Sequence, residues 1–361
     1  MAQRRHIRNI LAAVVALLAQ SVTAVDWNQW SLAKTYDSTN FFEEFAFWVS
    51  TEERVDPTHG YVNYRNASDA QRLGLADIKG GAVYLGVDSK TANMDPNATF
   101  GRSSVRVYSM QQYKFGLFIY DIAHFPAKAC GVWPAMWMYG ANWPKNGEID
   151  IYEGWNDNFE MTRQTLHTSP GCRVLGAGQT NKMEWIDCNV ANKSQPFNFG
   201  CSSDRLDGSW GSSNGGIFAV QWTPKGIQMW NWAHDAAPRD IETRAPAPNT
   251  WGTPNFNTQG AGNECDIERL FGEQWLVFNT VFCGDAAAAD TYWHQTSCYK
   301  KGHMTCADYV AKHPAAFTDV YWLINSVNIY LPAGLTPPSI KPRGAALPEH
   351  AEEIRTAPSW E

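Results

Sequence analysis

The chain has 361 residues, a net charge of −7 and only 18% charged side chains. That length admits one large domain or two ordinary ones, and an acidic balance with no block of basic residues excludes nucleic acid as a partner class. The unusual feature is aromatic content, with 17 Trp, 14 Tyr and 17 Phe: enough for a large core, for flat platforms in a cleft, or for both.

The N-terminus has the three parts of a secretory leader. "MAQRRHIRN" is basic, "ILAAVVALLA" is a short apolar run, and "VTA" (Val22 to Ala24) offers a small-residue cleavage site. We therefore expect a signal peptide over residues 1–24, a mature chain starting at Val25, and a secreted, extracellular protein. No later apolar run is long enough to span a bilayer as a helix, so no membrane partner is expected. Eight Cys at wide spacings, with no C-x-x-C pair, point to disulfides in an oxidising compartment rather than to zinc. Their connectivity is not readable, since eight Cys allow about 105 pairings. Asn66, Asn97 and Asn192 head N-x-S/T sequons and are candidate glycosylation sites.

Short runs rich in β-branched and aromatic residues then follow one another, cut by Gly, Pro, Asn and Asp. They include "AVYLGVD", "SVRVYS", "FGLFIYD", "VWPAMWMY", "EIDIYE", "TLHT", "IFAVQWT", "GIQMWNW", "QWLVFNTVF" and "WLINSVNIY". This pattern predicts an all-β sandwich or barrel. "AAAA", Ala286 to Ala289, starts a short helix or fills a loop. From Leu335 the chain becomes Pro-rich and polar, which predicts a disordered tail over 335–361. No linker divides residues 25–334, which are expected to form one domain.

Strand alternation assigns faces. Ser104, Arg106 and Tyr108 share one face, with Val105 and Val107 on the other. Trp133, Ala135, Trp137 and Tyr139 lie opposite Pro134, Met136 and Met138. Glu148 and Asp150 lie opposite Ile149 and Ile151. Strict alternation also throws Glu153 to the aliphatic face, where a lone carboxylate is costly. A β-bulge near Ile151 or Tyr152 resolves the conflict by returning Glu153 to the acidic face. The three acids then make a solvated acidic face, a calcium site or a catalytic set. For catalysis, Cα atoms roughly 13 Å apart along the strand let two inward-leaning Glu side chains approach the ~5–5.5 Å carboxyl separation of a retaining glycosidase. Asp150 between them would tune their charges.

"GVWPAMWMYGANWPKNGEIDIYEGWN", Gly131 to Asn156, closely resembles the E-x-D-x-x-E region of glycoside hydrolase family 16, in particular the secreted fungal endo-1,3(4)-β-glucanases, or laminarinases. "DPTHGYVNY", "GRSSVRVYS", "GLFIYDIAHFP", "TLHTSPGC", "VFCGD" and "YWLINSVNIY" fall in the family's order. The resemblance implies a concanavalin A-like β-jelly-roll of two curved antiparallel sheets, with a sugar cleft across the concave face. It implies Glu148 as nucleophile, Glu153 as general acid/base and Asp150 as the assisting carboxylate.

Trp137 and Trp143, with Trp133 behind them, are the candidate sugar platforms; core packing is the structural alternative for each. Arg106 and His167 match family positions in or near the cleft and are candidate substrate contacts. For Arg106 the alternative is a surface salt bridge, and for His167 a hydrogen bond to a backbone carbonyl. The resemblance implies a β-glucan substrate, cleaved at β-1,3 or mixed β-1,3-1,4 linkages. No cofactor and no metal are expected, although sandwiches of this type sometimes hold a structural calcium; a monomer is expected. Two departures bear on the subsites. Ala286 follows "FCGD", where the family often has Trp, and Asn231, Trp232 and His234 occupy a stretch where many relatives carry Phe and Arg. The alternatives to a β-glucanase are a non-catalytic β-glucan-binding protein, or a transglycosylase or hydrolase of another cell-wall polysaccharide on the same fold. Binding relatives usually lose one or both catalytic Glu, and both are present here.

Overall fold

The computed structural model describes residues 25–159, 162–205, 209–333 and 335. The expected signal peptide, and all of the expected tail except Leu335, lie outside the described residues.

Two eight-stranded sheets form the body. The first runs Phe256–Asn257, Gly226–Trp232, Gly216–Thr223, Gly116–His124, Tyr321–Ala333, Ala82–Gly86, Ala76–Lys79, and Asp26–Asp37 pairs alongside Tyr321–Ala333. The second runs Lys182–Met183, Cys201–Arg205, Thr162–His167, Glu148–Glu153, Val132–Gly140, Gln274–Phe282, Arg106–Tyr113, Phe45–Phe47. Every pairing within them is antiparallel. All ten strand segments read from the sequence are strands. The Asp26–Asp37 strand was not anticipated. Its exposed and buried residues do not alternate, and a bulge between Leu32 and Lys34 interrupts its register, so it carries no clean period of two.

The main core lies between the sheets. The second sheet contributes Val107, Met136, Met138, Ile149, Ile151, Leu166 and Phe278; the first contributes Val83, Phe118, Tyr120, Phe218, Trp222 and Ile324. Apolar side chains from alternate positions thus leave water on the inner faces of both sheets, which is the main driving force for closing the sandwich. Trp222 and Trp322 are fully buried here. A second cluster packs Trp30, Trp230 and Trp251 on the outer face of the first sheet. A third covers one end of the second sheet's other face with the short helices Ser297–Gly302 and Cys306–Lys312 and their neighbours. The aromatic excess therefore divides between the core between the sheets and two clusters on their other faces.

"AAAA" straddles the end of a short helix, Gly284–Ala287. All eight cysteines are paired: Cys130–Cys298, Cys172–Cys265, Cys188–Cys201 and Cys283–Cys306. The first and last tie the helical segment to the ends of strands Val132–Gly140 and Gln274–Phe282. Among the described residues no helix is long and apolar enough to cross a membrane.

Candidate active site

The strand Glu148–Glu153 is bulged where the charge pattern requires it. On its Thr162–His167 side, Asp150 pairs with Thr165 and Glu153 with Arg163, so three steps on one strand match two on the other. On its Val132–Gly140 side the slip falls between Asp150 and Tyr152. Ile151 and Tyr152 both turn into the core and are fully buried, with Tyr152 stacked on Phe125. Two successive core residues shift the alternation by one, and Glu153 emerges on the face of Glu148 and Asp150.

Cross-strand register sets the neighbours in rows. His167, Glu148, Tyr139 and Trp275 form one; Thr165, Asp150, Trp137 and Val277 the next; Arg163, Glu153, Ala135, Asn279 and Arg106 the third. Glu148 and Glu153 are half-buried and Asp150 is buried. The ligating atoms of Glu148, Asp150 and His167 lie within 4.8 Å of one another, with His167 Nε2 at 3.2 Å from Asp150 Oδ2.

Two indole groups address the two glutamates. Trp133 Nε1 donates to Glu153 Oε1 at 3.1 Å. Trp143 Nε1 donates to Glu148 Oε2. Trp143 reaches its partner because the Val132–Gly140 strand returns through a tight loop, in which Asn146 N bonds Asn142 O and Gly147 N bonds Pro144 O. Gly147 sits at φ +74° with Phe271 against it, a conformation and a clearance that favour glycine. Trp133, Trp137 and Trp143 are all half-buried.

Arg106 is buried, its guanidinium carbon 4.9 Å from the centre of the Trp137 ring and 5.5 Å from that of Trp48. It packs against the Trp137 ring. Asn279, which sequence reading passed over, completes the support. Its Oδ1 accepts from Trp137 Nε1 at 2.7 Å, and its Nδ2 donates to Tyr64 Oη at 3.2 Å. The available signal was a lone amide in the apolar run "LVFNTVF". His167 is buried beside Asp150.

Burial and mutual repulsion move all three carboxyls upward. Glu148 is pushed up to about 8, by burial first and then by Asp150, against the pull of His167 and of the Trp143 hydrogen bond. Asp150 is raised well above the usual range by burial and by Glu153. Glu153 is raised by burial, opposed by His167, the Trp133 hydrogen bond and Arg163. The three titrate as a set, and the upward shift to about 8 keeps a proton on Glu148 through neutral pH in the free protein.

A stability test follows. The folded chain keeps a proton on Glu148 up to about pH 8, whereas the ordinary value is 4.5. Between those pH values the folded state binds more protons, so stability falls as pH rises. Glu148→Gln removes this penalty. In denaturant titrations the variant is expected to exceed the parent by roughly 1–3 kcal/mol near pH 7.5 and to match it near pH 4. Equal stability at both pH values would contradict the raised carboxyl.

The sequence matches the family model described as "XgeA-like, catalytic GH16 domain" over residues 48–330. The chain belongs to glycoside hydrolase family 16. Among its family 16 relatives is an endo-1,3(4)-β-glucanase of Arthroderma benhamiae, 36% identical over 306 residues, which are 83% of this chain and 64% of that protein. The chain spans about half to two-thirds the length of such curated relatives. Two solved structures are similar throughout. One, described as an elongating family 16 β-1,3-glucosyltransferase, is 36% identical with a TM-score of 0.74, and the match covers 83% of this chain and 99% of that one. The other is Laminarinase 16A from Phanerochaete chrysosporium, solved with 6-O-glucosyl-laminaritriose in donor and acceptor sites. It is 31% identical with a TM-score of 0.75, over 84% of this chain and 99% of that one. The jelly-roll read from the sequence is thus the family 16 architecture.

Proposed function

We propose that the chain is a secreted, endo-acting retaining hydrolase of β-1,3 or mixed β-1,3-1,4 glucans. The observation that carries this reading is the bulge, which brings two glutamates, each held by an indole N–H, to one face with a buried aspartate between them.

In the proposed first step Glu153 gives its proton to the glycosidic oxygen as the bond from that oxygen to the anomeric carbon breaks. Glu148 reacts in the fraction that has already given up its proton, and its carboxylate forms a glycosyl ester at that carbon. Asp150, buried between the two glutamates, lies against Glu148 and orients it. In the second step ionised Glu153 takes a proton from water, the water oxygen attacks the anomeric carbon, and Glu148 departs as carboxylate. Two displacements return the original configuration. Trp137, propped by Arg106 and Asn279, stacks a sugar beside the acids; Trp143 and Trp133 do the same while fixing the glutamates; His167 neighbours Asp150.

A second reading has support of its own: the similar glucosyltransferase is described as elongating its substrate. The same ester can be opened by a sugar hydroxyl instead of water. Secretion is proposed from the N-terminal leader and the four disulfides. Asn66 and Asn97 are exposed and proposed to carry glycans. Asn192 is half-buried, with its amide already donating to Asp187 at 2.7 Å.

The test is to incubate the full chain with laminarin and with mixed-linkage barley glucan, counting reducing ends and sizing the products. New reducing ends with progressively shorter products support an endo-hydrolase, and the cleaved linkage ranks the substrates. Products longer than the substrate favour transfer. Binding without turnover would sink both and leave a lectin-like protein.

A further inference from the structure

We infer that Cys265, Cys172, Cys188 and Cys201 form a site of thiol–disulfide exchange, entered at Cys265 by a small uncharged dithiol. Exchange there leaves a Cys172–Cys188 bond and frees Cys201 beside His167.

The backbone register places a choice of partners around Cys172. On one side Cys172 pairs with Cys265, and Arg173 with Glu264. On the other, Arg173 bridges Asp187, and Cys188 N donates to Cys172 O at 3.0 Å. Cys172 therefore stands in a row between two cross-strand cysteines. Opposed residues of antiparallel strands have Cα atoms about 4.5–5.5 Å apart, a separation that a disulfide spans. Cys172 is bonded to Cys265 and Cys188 to Cys201, yet Cys188 Sγ lies 3.2 Å from Cys172 Sγ. A thiolate released at Cys172 is thus already in contact with a second disulfide.

Access selects the point of entry. Seven of the eight cysteines are buried, and Cys265 alone is half-buried. Glu264 and Asp266 flank it, so an uncharged thiol meets less repulsion there than an anionic one. One sulfur of the dithiol attacks Cys265 Sγ, and Cys172 leaves as thiolate. Cys172 then attacks Cys188 Sγ, and the Cys188–Cys201 bond breaks. The second sulfur of the dithiol closes on the first and releases Cys265. The dithiol is oxidised by two electrons to its cyclic disulfide. One protein disulfide is reduced, and the two protons of the dithiol end on Cys201 and Cys265.

The bond that opens clasps the end of the strand carrying His167. Cys201 pairs with Leu166, and Thr168 N donates to Cys188 O at 2.8 Å. Gly200 packs so closely that a Cβ on it would lie 2.9 Å from His167 Nδ1. Releasing Cys201 loosens this backing, and His167 is the neighbour of Asp150.

The experiment treats the folded full chain with limiting dithiothreitol, quenches in acid and labels thiols with N-ethylmaleimide. The remaining bonds are mapped by mass spectrometry, with circular dichroism recording that the fold persists. We expect a Cys172–Cys188 bond, label in equal amounts on Cys201 and Cys265, and the other two disulfides intact. Label on Cys172 and Cys265 with Cys188–Cys201 intact would overturn the exchange. Absence of label at Cys265 in the folded protein would overturn the point of entry. Laminarin cleavage should fall about tenfold in the exchanged protein and return on reoxidation; an unchanged rate would overturn the link to His167. That last arm rests on the β-glucanase reading. If the untreated protein does not cleave laminarin, that reading has failed, and the bond map still decides the exchange.

Discussion

Glu148→Gln is expected to lower glucan cleavage by about 10³–10⁵-fold while leaving a folded protein that still binds the substrate. The amide has the shape of the carboxyl and can still accept from Trp143 Nε1, whose partner is Glu148 Oε2. It cannot form the glycosyl ester at any useful rate, so both displacements stop. The loss should appear on laminarin and equally on an aryl β-glucoside with a good leaving group, because leaving-group quality does not replace a missing nucleophile. A variant that kept within tenfold of parent activity would remove Glu148 from the nucleophile role. The gain in stability expected for the same variant at neutral pH separates lost chemistry from lost folding.

Glu153→Ala is the complementary case. Without an acid the glycosidic oxygen leaves unprotonated, and polymer cleavage should fall by roughly 10²–10⁴-fold. An aryl glycoside whose phenolate leaves readily needs no such proton, so its first step should largely survive and the ester should accumulate, seen as a burst of phenol. Azide attacks the ester without needing a base to deprotonate it. It should restore turnover and give the glycosyl azide with the configuration of the substrate. Equal loss on both substrate types, with no burst and no azide rescue, would assign the acid elsewhere. Trp133, which donates to Glu153 at 3.1 Å, loses its acceptor in this variant. Glu153→Gln, which keeps an acceptor oxygen, therefore serves as the control for displacement of that ring.

Much of the site was legible in the sequence because β-strands report their faces by alternation. Met136 and Met138 opposite Trp133 and Trp137, and Ile149 and Ile151 opposite Glu148 and Asp150, fall where period-two reading puts them. The bulge was legible for a different reason. A carboxylate at 153 on the core side would be so costly that an extra residue in the strand is the cheaper solution, and Ile151 and Tyr152 together supply it. Trp143 was identified by its place in the loop before the acids, although its bond to Glu148 depends on how that loop folds back.

Other features had no local signal. Arg106 could be assigned to the polar face of its strand, but not to a buried position behind Trp137, because that position is made by Trp48 and Tyr139 from elsewhere in the chain. Asn279 lies 142 residues from the ring it holds. The disulfide pairs depend on which strand ends meet. A pocket beside the helical segment is assembled from three separate stretches, around His59, Thr99 and the Cys283–Ala307 segment.

The sequence by itself determined the strand faces, the three carboxylates and their need for a bulge, because each is a local consequence of side-chain alternation and of the cost of burying charge. Only the tertiary structure decided which aromatic ring grips which carboxylate, what props Trp137 and where a pocket opens beside the helical segment. Those contacts join residues far apart in the chain, and it is the cross-strand register and the packing of the helical segment that bring them together.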